Sequence, residues 1–165
     1  MKRRLLILAT AFVAFASVAS AQQTAPTDAA SEVRDVLLKN AAGFERGDLT
    51  AIEGLWAHGD DVTVFENGRA NYGWTDFREH HLKPELAHVN NLRYQLSDIK
   101  TSVSGTTAWA TFKFSMSSQS EAGTRERNGV GTAVLEKRAD GWKIVHWHSS
   151  TPRTNPPPAS TAKPQ

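Results

Sequence analysis

The stretch GVGTAVLEKRADGWKIVHWHSS, residues 129–150, is the most informative in the sequence. Residues 125–137 read as one strand, Asp140-Gly141 as a two-residue turn and residues 142–149 as the returning strand, so the segment is an antiparallel hairpin. A two-residue loop at that point pairs Leu135 with His146 and Ala133 with His148. It places both histidines on one face with Trp142 and Ile144, in a row continued by Gly131 and Gly129, and sends Val145 and Trp147 to the other face. Small residues beside two imidazoles leave the open volume that a ligand pocket needs. A three-residue loop inverts that assignment.

Working upstream, Ala108, Ala110, Phe112, Phe114 and Met116 line one face of a long strand that follows a turn at Ser104-Gly105. Before it, Leu92, Tyr94 and Leu96 alternate on one parity and Ile99, Thr101 and Val103 on the other, which a bulge at Ser97-Asp98 repairs. The first half of the chain is helical. Val33, Val36, Leu37, Ala41 and Phe44 recur at helical spacing between a capping Ser31 and Gly47, and Leu49, Ile52, Leu55 and Trp56 continue after Asp48. Val62, Thr63, Val64 and Phe65 switch to period two and stop at Asn67-Gly68. A third helical stretch, from Thr75 towards Ala87, is kinked or split by Pro84. Helices first and long antiparallel strands last specify an α+β fold, a bent sheet wrapping its concave face around the helices.

The ends of the chain have a different character. Lys2, Arg3 and Arg4, the apolar run of residues 5–16 and Ala19-Ser20-Ala21 have the form of a signal peptide cleaved after Ala21. That apolar run is shorter than the ~20 residues of a membrane span. Removing the three cations takes the formal charge from +2 to −1, so no positive excess is left to hold nucleic acid or an anionic membrane. The expected location is the periplasm or the cell exterior. Residues 22–30 read as a linker, 31–151 as one domain, and 152–165, with five of the seven prolines, as a disordered tail. The absence of cysteine excludes disulfides, thiolate zinc sites and cysteine nucleophiles.

Residues 129–150 resemble the paired terminal strands of the SnoaL-like branch of the nuclear transport factor 2-like superfamily, which end in a His-x-His-Ser-Ser run. FERGDLTAIEGLW at 44–56, DDVTVFENG at 60–68 and then Gly73 are similar to the same family. The resemblance implies a cone-shaped barrel of strongly bent antiparallel or mixed sheet around three N-terminal helices, open at one end and dimerised through its outer face. It does not imply one activity, because the fold carries isomerases, polyketide cyclases, dehydratases and binding modules. The ketosteroid isomerase set, an aspartate base with tyrosine and protonated-carboxyl donors, does not align in full here.

His146 and His148 are the candidate acid/base pair, since imidazole alone has an unperturbed pKa near neutrality; the plainer reading makes them pocket-wall or buried hydrogen-bonding residues without catalytic duty. Glu66, with Asp98 behind it, is the carboxylate that orients one ring, or else a solvated residue beside a turn. Tyr72 and Trp74, flanking Gly73, either clamp a flat ligand or serve as rim and core plug. His80 and His81 point about 100° apart on a helix, so at most one faces the pocket, and His81 is taken as ligand-binding. Trp142 shares the face of the two strand histidines and is taken as ligand-binding. Arg127, on the parity of Gly129, reaches the cone mouth to attract an anionic ligand or is a solvated strand end. Trp56, Phe65 and Phe77 are assigned to the core. Trp109, Trp147, Val130 and Val134 fit the outer face, an apolar patch that a homodimer covers. A zinc site of His146 and His148 completed by His80, His81 or Glu66 has suitable donors, but no second cluster supports the pair, so neither metal nor cofactor is expected.

The expectation is an exported dimer binding a small, largely apolar or aromatic molecule, as a binding or accessory protein. The alternative is an isomerase, cyclase or lyase in which His146 or His148 moves a proton. There is no phosphate-binding loop, nucleophile elbow or zinc-protease helix.

Overall fold

The computed structural model describes residues 28–87, 91–120 and 123–152. The stretches read from the sequence as a signal peptide, most of the linker and nearly all of the proline-rich tail fall outside these. Among the described residues no helix is long and apolar enough to cross a membrane.

Helix α1 (Ala29–Arg46) buries Val33, Leu37 and Ala41 along one stripe. Its cap is Asp28 and not Ser31: Asp28 Oδ1 accepts the Ser31 backbone N–H at 2.7 Å, and Ala29 and Ala30 carry the helix nearly one turn further back. Helix α2 (Leu49–Glu53) is capped in the same way by Asp48, whose carboxylate accepts from the Ala51 N–H at 3.0 Å. A third helical stretch is made of α3 (Trp74–Phe77), a π-helical turn at Arg78–Leu82 and α4 (Lys83–Ala87). In the π turn the Lys83 N–H reaches the Arg78 carbonyl five residues back. Pro84, which has no N–H to donate, follows at once, so the widening absorbs the expected break without ending the helix. Arg78 ties this stretch to α2 through Glu53.

Among the described residues six strands form one sheet: β1 (Thr63–Glu66), β2 (Arg69–Tyr72), β3 (Arg93–Ser104), β4 (Thr107–Ser120), β5 (Gly123–Arg138) and β6 (Gly141–Ser150), in the order β2-β1-β6-β5-β4-β3. β1 runs parallel to β6 and every other pair is antiparallel, so the sheet is mixed. Its edges, β2 and β3, do not pair with each other, which leaves the α+β cone open rather than closed. β2 is a strand that the sequence pattern does not predict. Arg69, Ala70, Asn71 and Tyr72 carry no apolar alternation, and only Asn71 among them is buried.

The bulge in β3 lies where the change of parity demands it: the register jumps between Ser97 and Lys100, and Asp98 adopts φ 51°. A second bulge corrects the reading of the last hairpin. Arg138 pairs with Gly141, so the loop is Ala139-Asp140, and the register slips between Val134 and Leu135, leaving Val145 as the extra residue. Trp142, Ile144, Trp147 and Ser149 are buried, whereas His146 is half-buried and His148 exposed. The two histidines therefore face outward, and Trp147 belongs to the core instead of the outer face.

The space above Gly129 and Gly131 is not empty. A Cβ on Gly131 would collide with the Phe112 ring, and one on Gly129 with the Phe114 ring and the Ser150 carbonyl. These glycines let two phenyl rings lie flat across β5. The fully buried Leu37, Ile52, Leu135 and Ile144 fill the space between helices and concave sheet, each worth about 1.5–3 kcal/mol in transfer from water.

Candidate functional site

His81 is the buried centre of the site. It sits on the π-helical turn, 7% exposed, with its ring edge-on to Phe77 at 5.4 Å. Asn71 on β2 divides its amide between two partners. Its Nδ2 donates to Asp76 Oδ2 at 2.9 Å, so Oδ1 is left to accept from His81 Nδ1 at 2.8 Å. That fixes a proton on Nδ1 and turns Nε2 away from Asn71. The hydrogen bonds from Asn71, His80 and the Tyr72 N–H hold the Asp76 carboxyl below the usual aspartate range, so it stays an anchoring anion.

His81 Nε2 meets two carboxylates. Glu66 Oε2 lies 3.2 Å away at the end of β1, and Glu85 Oε2 lies 3.8 Å away, one turn along the helix. In a neutral ring with Nδ1 protonated, Nε2 is an acceptor, as are both carboxylates. A proton or a cation among the three relieves the repulsion. Burial first, and then the charge of Glu66, push the Glu85 carboxyl above the usual range against the opposing pull of His81, Arg127 and Arg69. Glu85 thus keeps its proton to a higher pH than a solvated carboxyl does. Its three donor atoms lie within 4.8 Å of one another. Two carboxylates and an imidazole oriented by Asn71 and Asp76 also form a donor set that suits a divalent cation such as zinc.

Glu66 and Glu85 stand between two spaces. On the inner side is a cavity of about 40 Å³ walled by Phe44, Phe77, Phe114, Met116 and Trp147, to which Tyr94 and Ser149 add hydroxyls. On the outer side is a basin of about 430 Å³ that includes Arg69, His80 and Arg127. Burial, and then the two carboxylates, raise the Tyr94 phenol well above its ordinary value, so it remains a neutral hydroxyl. The inner cavity as it stands admits only a few atoms. Met116 in its wall is the side chain best able to make more room.

Of the residues expected from the sequence, the structure brings Glu66, His81 and Arg127 together and separates the others. His146 lies on the outer face, its Nδ1 2.7 Å from Thr63 Oγ1 and its ring edge-on to Phe65; burial and the neighbouring His148 hold its imidazolium below the ordinary range. His148 opens on a shallow outer hollow of about 820 Å³ with Val130, Thr132 and Lys113. Neither histidine shares a hydrogen bond or an ion pair with Glu66. Asp98 pairs with Lys113 at 2.8 Å beside the same hollow. Tyr72 is 66% exposed and packs on Phe65, which itself lies outside the core assigned to it. Trp74 is a core plug between His58 and Trp56, and the buried Trp142 donates from Nε1 to Glu32 at 3.1 Å, away from the cavity.

Sequence reasoning missed Glu85, Asn71, Tyr94 and Asn40. Glu85 carries a signal, since it is four residues after His81 on one helix face. So does Asn40, a polar residue seven positions after Val33 in the apolar stripe of α1. Asn71 carries none, because β2 has no pattern to place it.

Solved structures share this architecture. A nuclear transport factor 2-like superfamily protein from Salmonella enterica superposes with a TM-score of 0.70 at 18% identity, covering 79% of this chain and 96% of that one. A Streptomyces avermitilis protein put forward as a dehydratase of the same fold family gives 0.69 at 21% identity, covering 75% and 96%. A Shewanella frigidimarina protein put forward as a ketosteroid isomerase gives 0.63 at 24% identity, covering 74% and 95%. At these identities the likeness is one of fold. A comparison with curated protein sequences found no match. Residues 33–154 match the SnoaL-like domain, and on that span, most of the chain, the protein belongs to the SnoaL-like family of the nuclear transport factor 2-like superfamily.

Proposed function

We propose that the protein binds a small, neutral, largely apolar molecule in the cone cavity and moves a proton on it, with His81, Glu66 and Glu85 as the acid/base group. One observation carries this: a buried imidazole, its Nδ1–H committed to Asn71, presents Nε2 to two carboxylates at the edge of an aromatic cavity. In the step such a group performs, the carboxylate of Glu66 or Glu85, both of which line the cavity while His81 stands behind them, takes a proton from a carbon next to a carbonyl. The C–H electron pair enters the new C–C double bond and the carbonyl pair moves to oxygen. Return of the proton to another carbon isomerises the molecule, and departure of a β-substituent makes the enzyme a lyase.

The test is deuterium uptake. Small ketones, enones and esters are incubated with the protein in D2O and followed by NMR. Uptake above the buffer rate on one class, falling about 100-fold or more in Glu85→Gln and His81→Asn, is expected. Binding without uptake on every class would reduce the protein to a binding module. The close donor set favours a second reading, a zinc site at Glu66, His81 and Glu85; a zinc-sized mass in the native mass spectrum that His81→Asn removes would put the metal in place of the proton.

The outer face supports a homodimer. Trp109 is 46% and Val130 57% exposed on adjacent strands, with Val134 beside Trp109 and the hollow at His148 next to them. Residues 1–21 support export, with the mature dimer in the periplasm or outside the cell.

A further inference from the structure

Asn40 is 1% exposed, and its Oδ1 accepts the Trp56 indole N–H at 2.9 Å. Indole nitrogen is a donor only, so the amide cannot turn over: a flipped Asn40 would set its NH2 against that N–H. The indole bond therefore commits the other end of the amide to a fixed place. Asn40 Nδ2 is buried there without a hydrogen-bond partner among the described residues, and Asn40 is one of the residues that wall the cavity Glu66 and Glu85 border. An unmet amide donor in an apolar wall is unfavourable, and a leucine at this position in the α1 stripe would carry no such burden. An acceptor from outside the chain resolves it.

We infer that Asn40 Nδ2 donates to the carbonyl oxygen of the molecule the cavity takes, and that this molecule is a small neutral ketone, aldehyde or enone. The inference rests on the proposed cavity function and names its ligand class and its polarising residue. Three features select the class. Phe44, Phe77, Phe114 and Trp147 favour an apolar body. Two carboxylates beside the cavity disfavour an anion. An amide N–H calls for an acceptor, which a carbonyl oxygen supplies without an O–H that needs a partner of its own. In the proton-transfer step the negative charge gathers on that carbonyl oxygen, where an amide N–H held in place beforehand stabilises it.

The probes are cyclopentanone and methylenecyclopentane, alike in shape and differing in an exocyclic oxygen or CH2. They are titrated into the full-length 15N-labelled protein and into Asn40→Leu. The ketone should move the Asn40 side-chain amide proton signals downfield and the alkene should leave them in place. The ketone-to-alkene affinity ratio should be about tenfold higher in the wild type than in Asn40→Leu, the effect of one hydrogen bond. If Asn40→Leu does not fold, the wild-type amide shifts decide alone. Amide signals that stay put at ketone saturation, an unchanged affinity ratio, or failure of the ketone to bind would overturn the inference and leave an ordered water as the acceptor. Deuterium uptake with silent amide signals would sink only the role of Asn40. Ketone binding through Asn40 without uptake would sink only the proton transfer.

Discussion

Trp56 and Asn40 are joined by one buried hydrogen bond across sixteen residues of chain, 2.9 Å from indole nitrogen to amide oxygen, and it decides which end of the amide is left without a partner. Trp56→Phe removes the donor but keeps a ring against Trp74, Phe77 and Trp147. Denaturant unfolding should show a loss of about 1–3 kcal/mol, and the Asn40 amide, released from its lock, should show altered side-chain signals.

Glu85 makes stability depend on pH with a definite sign. Folding raises its pKa above the ordinary 4.5, so the folded protein holds this proton more tightly than the unfolded chain does. The contribution is fully present below 4.5 and is lost as pH rises through the raised value. Glu85→Gln, which does not ionise, should melt above the wild type at pH 7, with the gap closing towards pH 4. Melting curves at the two pH values check this; a gap that widens on acidification would contradict it.

Asp76→Ala should slow deuterium uptake without touching the ligand. Asn71 would lose the partner that fixes its amide, and His81 its enforced Nδ1 proton. A loss of about tenfold is expected, by analogy with the partners that orient metal-bound histidines. The 15N shifts of the His81 ring should report a mixed tautomer, which a purely structural role for Asp76 would not produce.

Gly131→Ala should cost about 1–3 kcal/mol, because the new methyl group must displace the Phe112 ring or bend β5. Thermal melting measures it. A neutral result would mean that the rings across β5 have room to move.

The outer face and the cavity should separate cleanly. Trp109→Glu should drive a dimer to monomer in sedimentation, while His148→Ala should leave deuterium uptake within about twofold of wild type, since His148 lies outside the cone. Loss of uptake in His148→Ala would return the strand histidine to the chemistry.

The fold was legible because apolar periodicity reports burial directly: α1, the bulge in β3 and the inward row from Ala108 to Met116 all appear in the letters. The site was legible only in part, for reasons that differ by residue. His81 and Glu66 showed as chemistry-bearing types near element ends. Their mutual contact depends on β2 and on a π turn, and neither leaves a periodic trace. The strand histidines misled for a stronger reason: alternation fixes a face only while the ladder stays in register, and Val145 breaks it.

That extra residue has a practical consequence for redesign. The positions of β6 that reach the interior are 142, 144, 147 and 149, spaced by two, three and two. Libraries aimed at new cavity chemistry on this strand should diversify Trp147 and Ser149 and leave His146 and His148 for altering what the surface presents. Deleting Val145 would restore an even spacing without exchanging a single side chain between inside and outside. What it would remove is the bend, and with it part of the curvature that gives the cone its hollow.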